Sequence, residues 1–303
     1  MEHLGSFVKR WSVDLPPKAE YDFADSLGGA WYITPTHHAI EFLTLAPLYT
    51  IFTLLYAKKV LRSPGAYELL TSTEQRPARS ILETLLFVML IASFTITVIH
   101  KAVTGTLLFL MQPCHASAIL LILVMGWPNH KYPLIPRLLF NIYLHTLWGT
   151  ILALIWPDLR DHEMLGEVFN FFMGKHKRCY MDQTDFVRVE HTLILVVPLY
   201  MTLTRRYPVL PVSLDMALFS FFLYAAYHSP VLHISSLLSG YNLNYALVPP
   251  ALTFLIAAGP WYRFIMYTSA LLLMFITRYG IVENFLILVQ QIQIMMLRKK
   301  KSA

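Results

Sequence analysis

Long apolar blocks alternate with shorter polar connections along most of the chain. A helix needs about 18 or more apolar residues in a row to cross a bilayer core, and such runs recur here. They predict spans over residues 39–57, 81–99 (reaching 102), 134–156, 186–203, 213–232 and 261–277. One more run, third in order, ends near Trp127 and Pro128. The connections carry the breakers and charges: Lys58, Lys59, Pro64 and Gly65 after the first span, Arg205, Arg206 and Pro208 after the fifth. The longest polar loop, 158–185, mixes both signs of charge. No run of about ten residues alternates apolar with polar, so helices are left to satisfy the backbone in lipid. The pattern predicts an all-α, polytopic integral membrane bundle of about seven transmembrane helices.

A last apolar segment, 281–297, breaks the rule by carrying Glu283, Asn284, Gln290, Gln291 and Gln293. Positions 283, 284, 287, 290 and 291 fall on one helical face, and four of these five are polar. That face predicts an amphipathic helix on the surface or packed on the bundle, with an eighth span as the alternative. The first 37 residues are polar and lack the apolar core of a signal peptide. The expected organisation is therefore a polar segment over 1–37, a bundle with the chemistry over 38–280, and an amphipathic helix with a basic tail over 281–303.

Composition agrees: 56% of the 303 residues are hydrophobic and 14% charged, where a soluble domain carries roughly 25% charge. Of the 24 Lys and Arg residues, about fourteen fall on the side of the C-terminus, so the positive-inside rule puts that end in the cytosol. Lys300 and Lys301 stand fourth and third from the end, the spacing of a di-lysine retrieval signal of the endoplasmic reticulum; a basic tail for anionic lipid is the other reading. The two cysteines, Cys114 and Cys179, lie in an apolar segment and a polar loop, so no disulfide is expected. No basic stripe with interleaved aromatics points to nucleic acid.

Polar side chains inside spans cost a few kcal/mol each, roughly, and usually have a partner or a task. Here they include His100, Gln112, Cys114, His115, His145, His191, His228, His233, Asn242 and Asn244. The most informative stretch is LLFLMQPCHASA, 107–118. Proline suits the first turn of a helix, where its missing N–H costs nothing, and it pushes the preceding residue out of helical geometry. The third helix should therefore begin at about Pro113, with irregular chain before it buried among other helices. Cys114 would then sit in a first turn, where the helix dipole favours a thiolate, the form that attacks an acyl carbon. Burial works against that charge, so a histidine base is required; the bland reading is a small inert core cysteine.

His191, about one turn inside the fifth span, lies at the same depth as Cys114 if the third helix starts at Pro113. His145 and His228 are the other candidates. Histidine or cysteine from four spans suggests one polar chamber, with Gln112, His115, Asn242 and Asn244 around it. A metal site from Cys114, His145, His191 and His228 lacks any HExxH, CxxC or HxxH spacing, so neither a metal nor another cofactor is expected. His37, His38, His162 and His176 read as solvated surface residues. Trp261, Tyr262 and Arg263 read as an interfacial anchor with a snorkelling arginine.

Several stretches together resemble the transmembrane protein 164 family: Leu110-Met111-Gln112-Pro113-Cys114-His115, LHTLWGTILALIWP at 144–157, EHTLILVVPLY at 190–200, YHSPVL at 227–232, Asn242-Leu243-Asn244, and Gly259-Pro260-Trp261-Tyr262-Arg263. They occur in order at similar spacing from about residue 80 to 280. The family is similar to a bacterial group of membrane proteins with shared Cys, His and Asn-Tyr features, and more distantly to androgen-induced lipid hydrolases. The resemblance implies a membrane acyltransferase that builds polyunsaturated ether phospholipids, with Cys114 as nucleophile and His191 as base. Gln112 stands where the family usually has Asn, and either amide can donate to an oxyanion. The implied partners are phospholipid and lysophospholipid, with acyl-CoA as a possible donor. A lipid ester hydrolase on the same residues, and a transporter or receptor using the histidines as a proton path, are the rival readings.

Overall fold

The computed structural model describes residues 2–20, 28–72, 79–128, 132–155 and 184–302. Cys179, His162 and His176 lie outside the described residues, as does the 158–185 loop up to residue 183. The described chain is helical, with only isolated bridges between extended residues. We number the helices α1 (Glu2–Trp11), α2 (Pro35–Arg62), α3 (Pro64–Thr71), α4 (Ile81–Val103), α5 (Pro113–Gly126), α6 (Leu134–Ile155) and α7 (Thr184–Leu203). The sixth predicted span is α8, Leu214–Ser239; then come α9 (Thr253–Ala257), α10 (Tyr262–Phe275) and α11 (Glu283–Ser302).

The helices start where the sequence supplies caps. Thr34 accepts from the His37 N–H at 3.2 Å ahead of Pro35, and Ser80 accepts from the Glu83 N–H at 3.0 Å. Among the described residues, five helical runs are long and apolar enough to cross a membrane: Pro35–Arg62, Ile81–Val103, Leu134–Ile155, Leu214–Ser239 and Gly259–Ile292. Pro113–Gly126 and Glu190–Leu203 are apolar but shorter. They occupy the third and fifth expected positions. The 14 residues of α5 reach about 21 Å, short of a core about 30 Å thick. The chain before it is a 3₁₀ turn, Leu107–Met111, with Phe109 buried.

Two helices run further than their hydrophobic pattern predicts, each through a π-helical turn. In α8 the turn is Tyr227–Leu232 and contains Pro230; a wide turn absorbs the missing N–H and the ring clash that would otherwise end the helix. Gly240, at φ 79°, terminates it. The segment expected as a separate amphipathic helix is instead continuous with the seventh span, because no breaker follows Gly280: α10 passes through a π-helical turn, Ile276–Val282, into α11. That turn keeps Arg278 facing inward, where it donates to Leu210 O at 2.7 Å and to Glu283 at 2.7 Å.

The largest core cluster joins α4, α5, α6 and α7 through Leu90, Leu121, Tyr143, Leu147, Ile194 and Val197. Buried charges tie the helices where apolar packing cannot specify them. Arg206 meets Glu83 at 3.0 Å, and Arg79 donates to the Met125 carbonyl and reaches Glu83 at 3.5 Å. Arg263 is not a snorkelling anchor: only 2% exposed, it binds Glu41 at 2.9 Å, Ala246 O at 3.0 Å and the His233 ring at 3.1 Å. His38, expected at the surface, is buried beside it with Nδ1 2.7 Å from His233 Nε2. An arginine this buried must draw its acceptors from the protein, and α2, α8 and the loop at Ala246 supply them. Trp261, 67% exposed, keeps the anchor position.

Replacing Arg263 with Met should destabilise the bundle by about 3 kcal/mol, since it leaves Glu41 without its arginine. Adding Glu41→Gln should recover part of the loss. Thermal unfolding in detergent micelles checks both; an R263M transition at the wild-type temperature would mean that the pair does not hold α2 to α10.

Candidate functional site

The site grows from three residues. Gln112 is extended (φ −61°, ψ 147°), as the residue before proline must be. Pro113 is the first residue of α5 and Cys114 the second. The first i→i−4 bond of the helix runs from the Ala116 N–H to Gln112 O at 3.0 Å. The backbone N–H groups of Cys114 and His115 belong to the first turn, where no earlier helical carbonyl is available to them. A thiol at a helix opening with two N–H donors beside it is a position where negative charge can be held. The Cys114 residue is half-buried, packed on the α4–α7 core. The Gln112 side chain makes no cap bond and stands next to the sulfur's turn.

Beside Cys114 lies a network whose key residue has no role in the sequence reading. Glu190 of α7, 3% exposed, accepts from the Thr97 hydroxyl of α4 at 2.8 Å and contacts His115 Nδ1 of α5 at 3.1 Å. One carboxylate thus joins three helices. Neighbouring residues on a helix point about 100° apart, so His115 turns to Glu190 while Cys114 projects elsewhere; the same holds for Glu190 and His191. Lys101, fully buried at the end of α4, acts electrostatically on Cys114 from the opposite sign to Glu190. Its ammonium lies 5.3 Å from the centre of the Phe109 ring.

His191 is buried on α7, 5% exposed. The His115–Glu190 contact sets the backbone at 114–115 beside that at 190–191, and α5 packs against α7. Cys114 and His191 are the chain neighbours of the His115–Glu190 pair that meets across this helix packing. Tyr227, on the π-helical turn of α8, borders the chain just before this site: its hydroxyl donates to Met111 O at 2.5 Å.

Other expected members are engaged elsewhere. His228 contacts the Tyr267 hydroxyl at 2.8 Å and Asn244 O at 3.0 Å. Asn242 staples its own loop, accepting from the N–H groups of Leu247 and Val248 and donating to Val248 O. Asn244 adopts left-handed geometry at φ 46° and reaches the Tyr224 hydroxyl at 3.5 Å. His145 is bonded through Nδ1 to Asn141 O at 2.8 Å, its ring against Tyr279. Buried polarity is divided among several networks, because each polar group takes the nearest acceptor or donor its own helix pair offers. Among the described residues no three His, Cys, Asp or Glu side chains converge as metal ligands would. Glu190 could have been found from sequence by asking what a carboxylate is doing inside a span; Thr97 could not, because a threonine in a span is unremarkable without its partner.

A bundle of apolar helices with charges and imidazoles paired in its interior is an integral membrane protein. It belongs to the TMEM164 family, whose model matches residues 32–279. A curated relative, the Transmembrane protein 164 homolog of Dictyostelium discoideum, is 26% identical over 227 residues, covering 73% of this chain and 74% of that protein. No solved structure matches the chain. The matched region contains Cys114, Glu190 and His191 and excludes α1.

Glu190→Ala should destabilise the protein by about 3 kcal/mol, since it strands the His115 imidazole and the Thr97 hydroxyl in a buried site. Glu190→Gln, which keeps the shape and can still meet Thr97, should cost less. Chemical or thermal unfolding of the purified variants ranks them; an alanine variant as stable as the glutamine variant would remove Glu190 as a tie between helices.

Proposed function

We propose that this protein is a membrane-embedded lipid acyltransferase working through a thioester on Cys114. The observation that carries this reading is the half-buried thiol in the first turn of α5, next to a buried carboxylate–imidazole pair where α5 packs on α7, the helix that bears His191. In the proposed cycle the His191 imidazole takes the Cys114 proton, and the thiolate attacks the carbonyl carbon of an acyl ester. The tetrahedral oxyanion collapses, the C–O bond breaks, and the leaving alkoxide takes the proton from His191. A lysophospholipid hydroxyl then gives its proton to His191 and attacks the thioester; the C–S bond breaks and the thiol is restored. In this scheme Gln112 and the N–H groups opening α5 hold the oxyanion.

Glu190 is a positioning residue in this scheme. It fixes α5 against α7, and so the sulfur against the imidazole, without touching substrate. Withholding water separates transfer from hydrolysis, and the flanking Leu107 and Leu108 are apolar and exposed, suited to a lipid rather than an aqueous approach. The sequence resemblance implies phospholipid and ether lysophospholipid substrates, with acyl-CoA as the other donor class, and the charge count and the Lys300-Lys301 ending favour the endoplasmic reticulum with a cytosolic C-terminus.

With protein in nanodiscs, a phospholipid carrying a labelled acyl chain and an ether lysophospholipid acceptor, Cys114→Ala should lower transfer by about 10³-fold or more. His191→Gln should fall comparably, because nucleophile and base act as one unit. Wild-type protein given donor alone should hold label on Cys114 that hydroxylamine releases. Undiminished transfer by the C114A protein would sink the mechanism, whereas free fatty acid as the main product with acceptor present would make the enzyme a hydrolase.

A further inference from the structure

Residues 2–11 form a helix whose outward stripe has no partner among the described residues. In α1, Leu4, Phe7, Val8 and Trp11 follow the i, i+3, i+4, i+7 spacing of one helical face. Phe7 and Trp11 are 61% and 64% exposed, and Leu4 37%. The opposite face carries His3, Ser6, Lys9 and Arg10, all exposed. The buried position is Gly5, where a Cβ would lie 2.4 Å from Thr36 Oγ1 and 3.2 Å from Thr36 N. At about 100° per residue the apolar stripe centres roughly 110° around the helix from Gly5, with the polar residues on the far side of it. So α1 meets the protein sideways, with one flank apolar and the other charged.

Its height is set by three further contacts. Thr36 is one residue into α2, at the end of the bundle where that span begins. Past α1 the chain is strapped to the end of α8, the Val13 N–H donating to Leu237 O at 2.9 Å and Gly29 N–H to Gly240 O at 2.7 Å. Trp261, exposed ahead of α10, lies against the His37 ring at 6.5 Å between centroids. The same end thus carries exposed aromatics at Trp11 and Trp261, the residues that collect where bilayer meets water.

We propose that α1 is an in-plane membrane anchor: it lies along the lipid–water boundary beside the start of α2, with Leu4, Phe7, Val8 and Trp11 in the acyl region and His3, Ser6, Lys9 and Arg10 in water. The occupant of the stripe is the bilayer that the bundle crosses, since an apolar face held sideways at the mouth of a span opens onto that bilayer. The anchor would hold the N-terminal strap, and through it the end of α8, against the membrane surface.

The test uses the full chain with Cys114 and Cys179 changed to Ser and one new cysteine, Phe7→Cys or Ser6→Cys, carrying a polarity-sensitive fluorophore. The proteins are placed in phosphatidylcholine nanodiscs with and without a lipid spin-labelled near its head group. The label at position 7 should emit to the blue of the label at position 6 and be quenched severalfold more by the spin-labelled lipid. Equal, water-like emission at both positions would overturn the anchor. Blue emission at position 7 without lipid quenching, accompanied by cross-linking between chains, would also overturn it, because a second copy would then cover the stripe.

Discussion

A carboxylate inside a bundle surrounded by hydrocarbon has no water to fall back on, so its partners must come from the protein itself. Glu190 meets that demand with a hydroxyl from α4 and an imidazole from α5. Because the demand is local and directional, satisfying it fixes how three helices stand relative to one another. Apolar packing alone would tolerate small slides along the helix axes; a hydrogen bond of about 3 Å does not. The placement of Cys114 next to α7 follows from this tie.

The same logic recurs wherever charge is buried. Arg263 draws α2 and the end of α8 together, Arg206 and Arg79 gather on Glu83, and Arg278 reaches across to Leu210 O. None of these contacts adds much net stability over a well-packed apolar alternative. What they provide is register. The networks also explain why the polar residues of the spans do not gather into one chamber: each is consumed close to where it arises, and the cysteine site keeps only the groups of its own junction.

Backbone irregularity is concentrated beside these networks. The π-helical turn of α8 carries Tyr227 and His228, the 3₁₀ turn at Leu107–Met111 precedes α5, and Asn244 sits in left-handed geometry between Asn242 and Tyr245. Irregular backbone at this depth is tolerated only inside protein, and here it is stitched by side chains: the Tyr227 hydroxyl on Met111 O, Asn242 on its loop, and the Tyr262 hydroxyl on Tyr245 O.

The order of apolar runs was enough to determine an all-α membrane bundle, and Pro113 alone determined that a helix opens there with Cys114 in its first turn, because proline's geometry acts on its immediate neighbours whatever surrounds them. The family was legible too, since its signature lies in short contiguous stretches such as Met111-Gln112-Pro113-Cys114-His115. Tertiary structure decided the rest. That His115 bonds Glu190, that His38 is buried on His233 and that Arg263 points inward all depend on residues far apart in the chain. Period and composition report which face of a helix is apolar; they carry no information about which polar group of another helix will arrive opposite, and only the packed bundle supplies it.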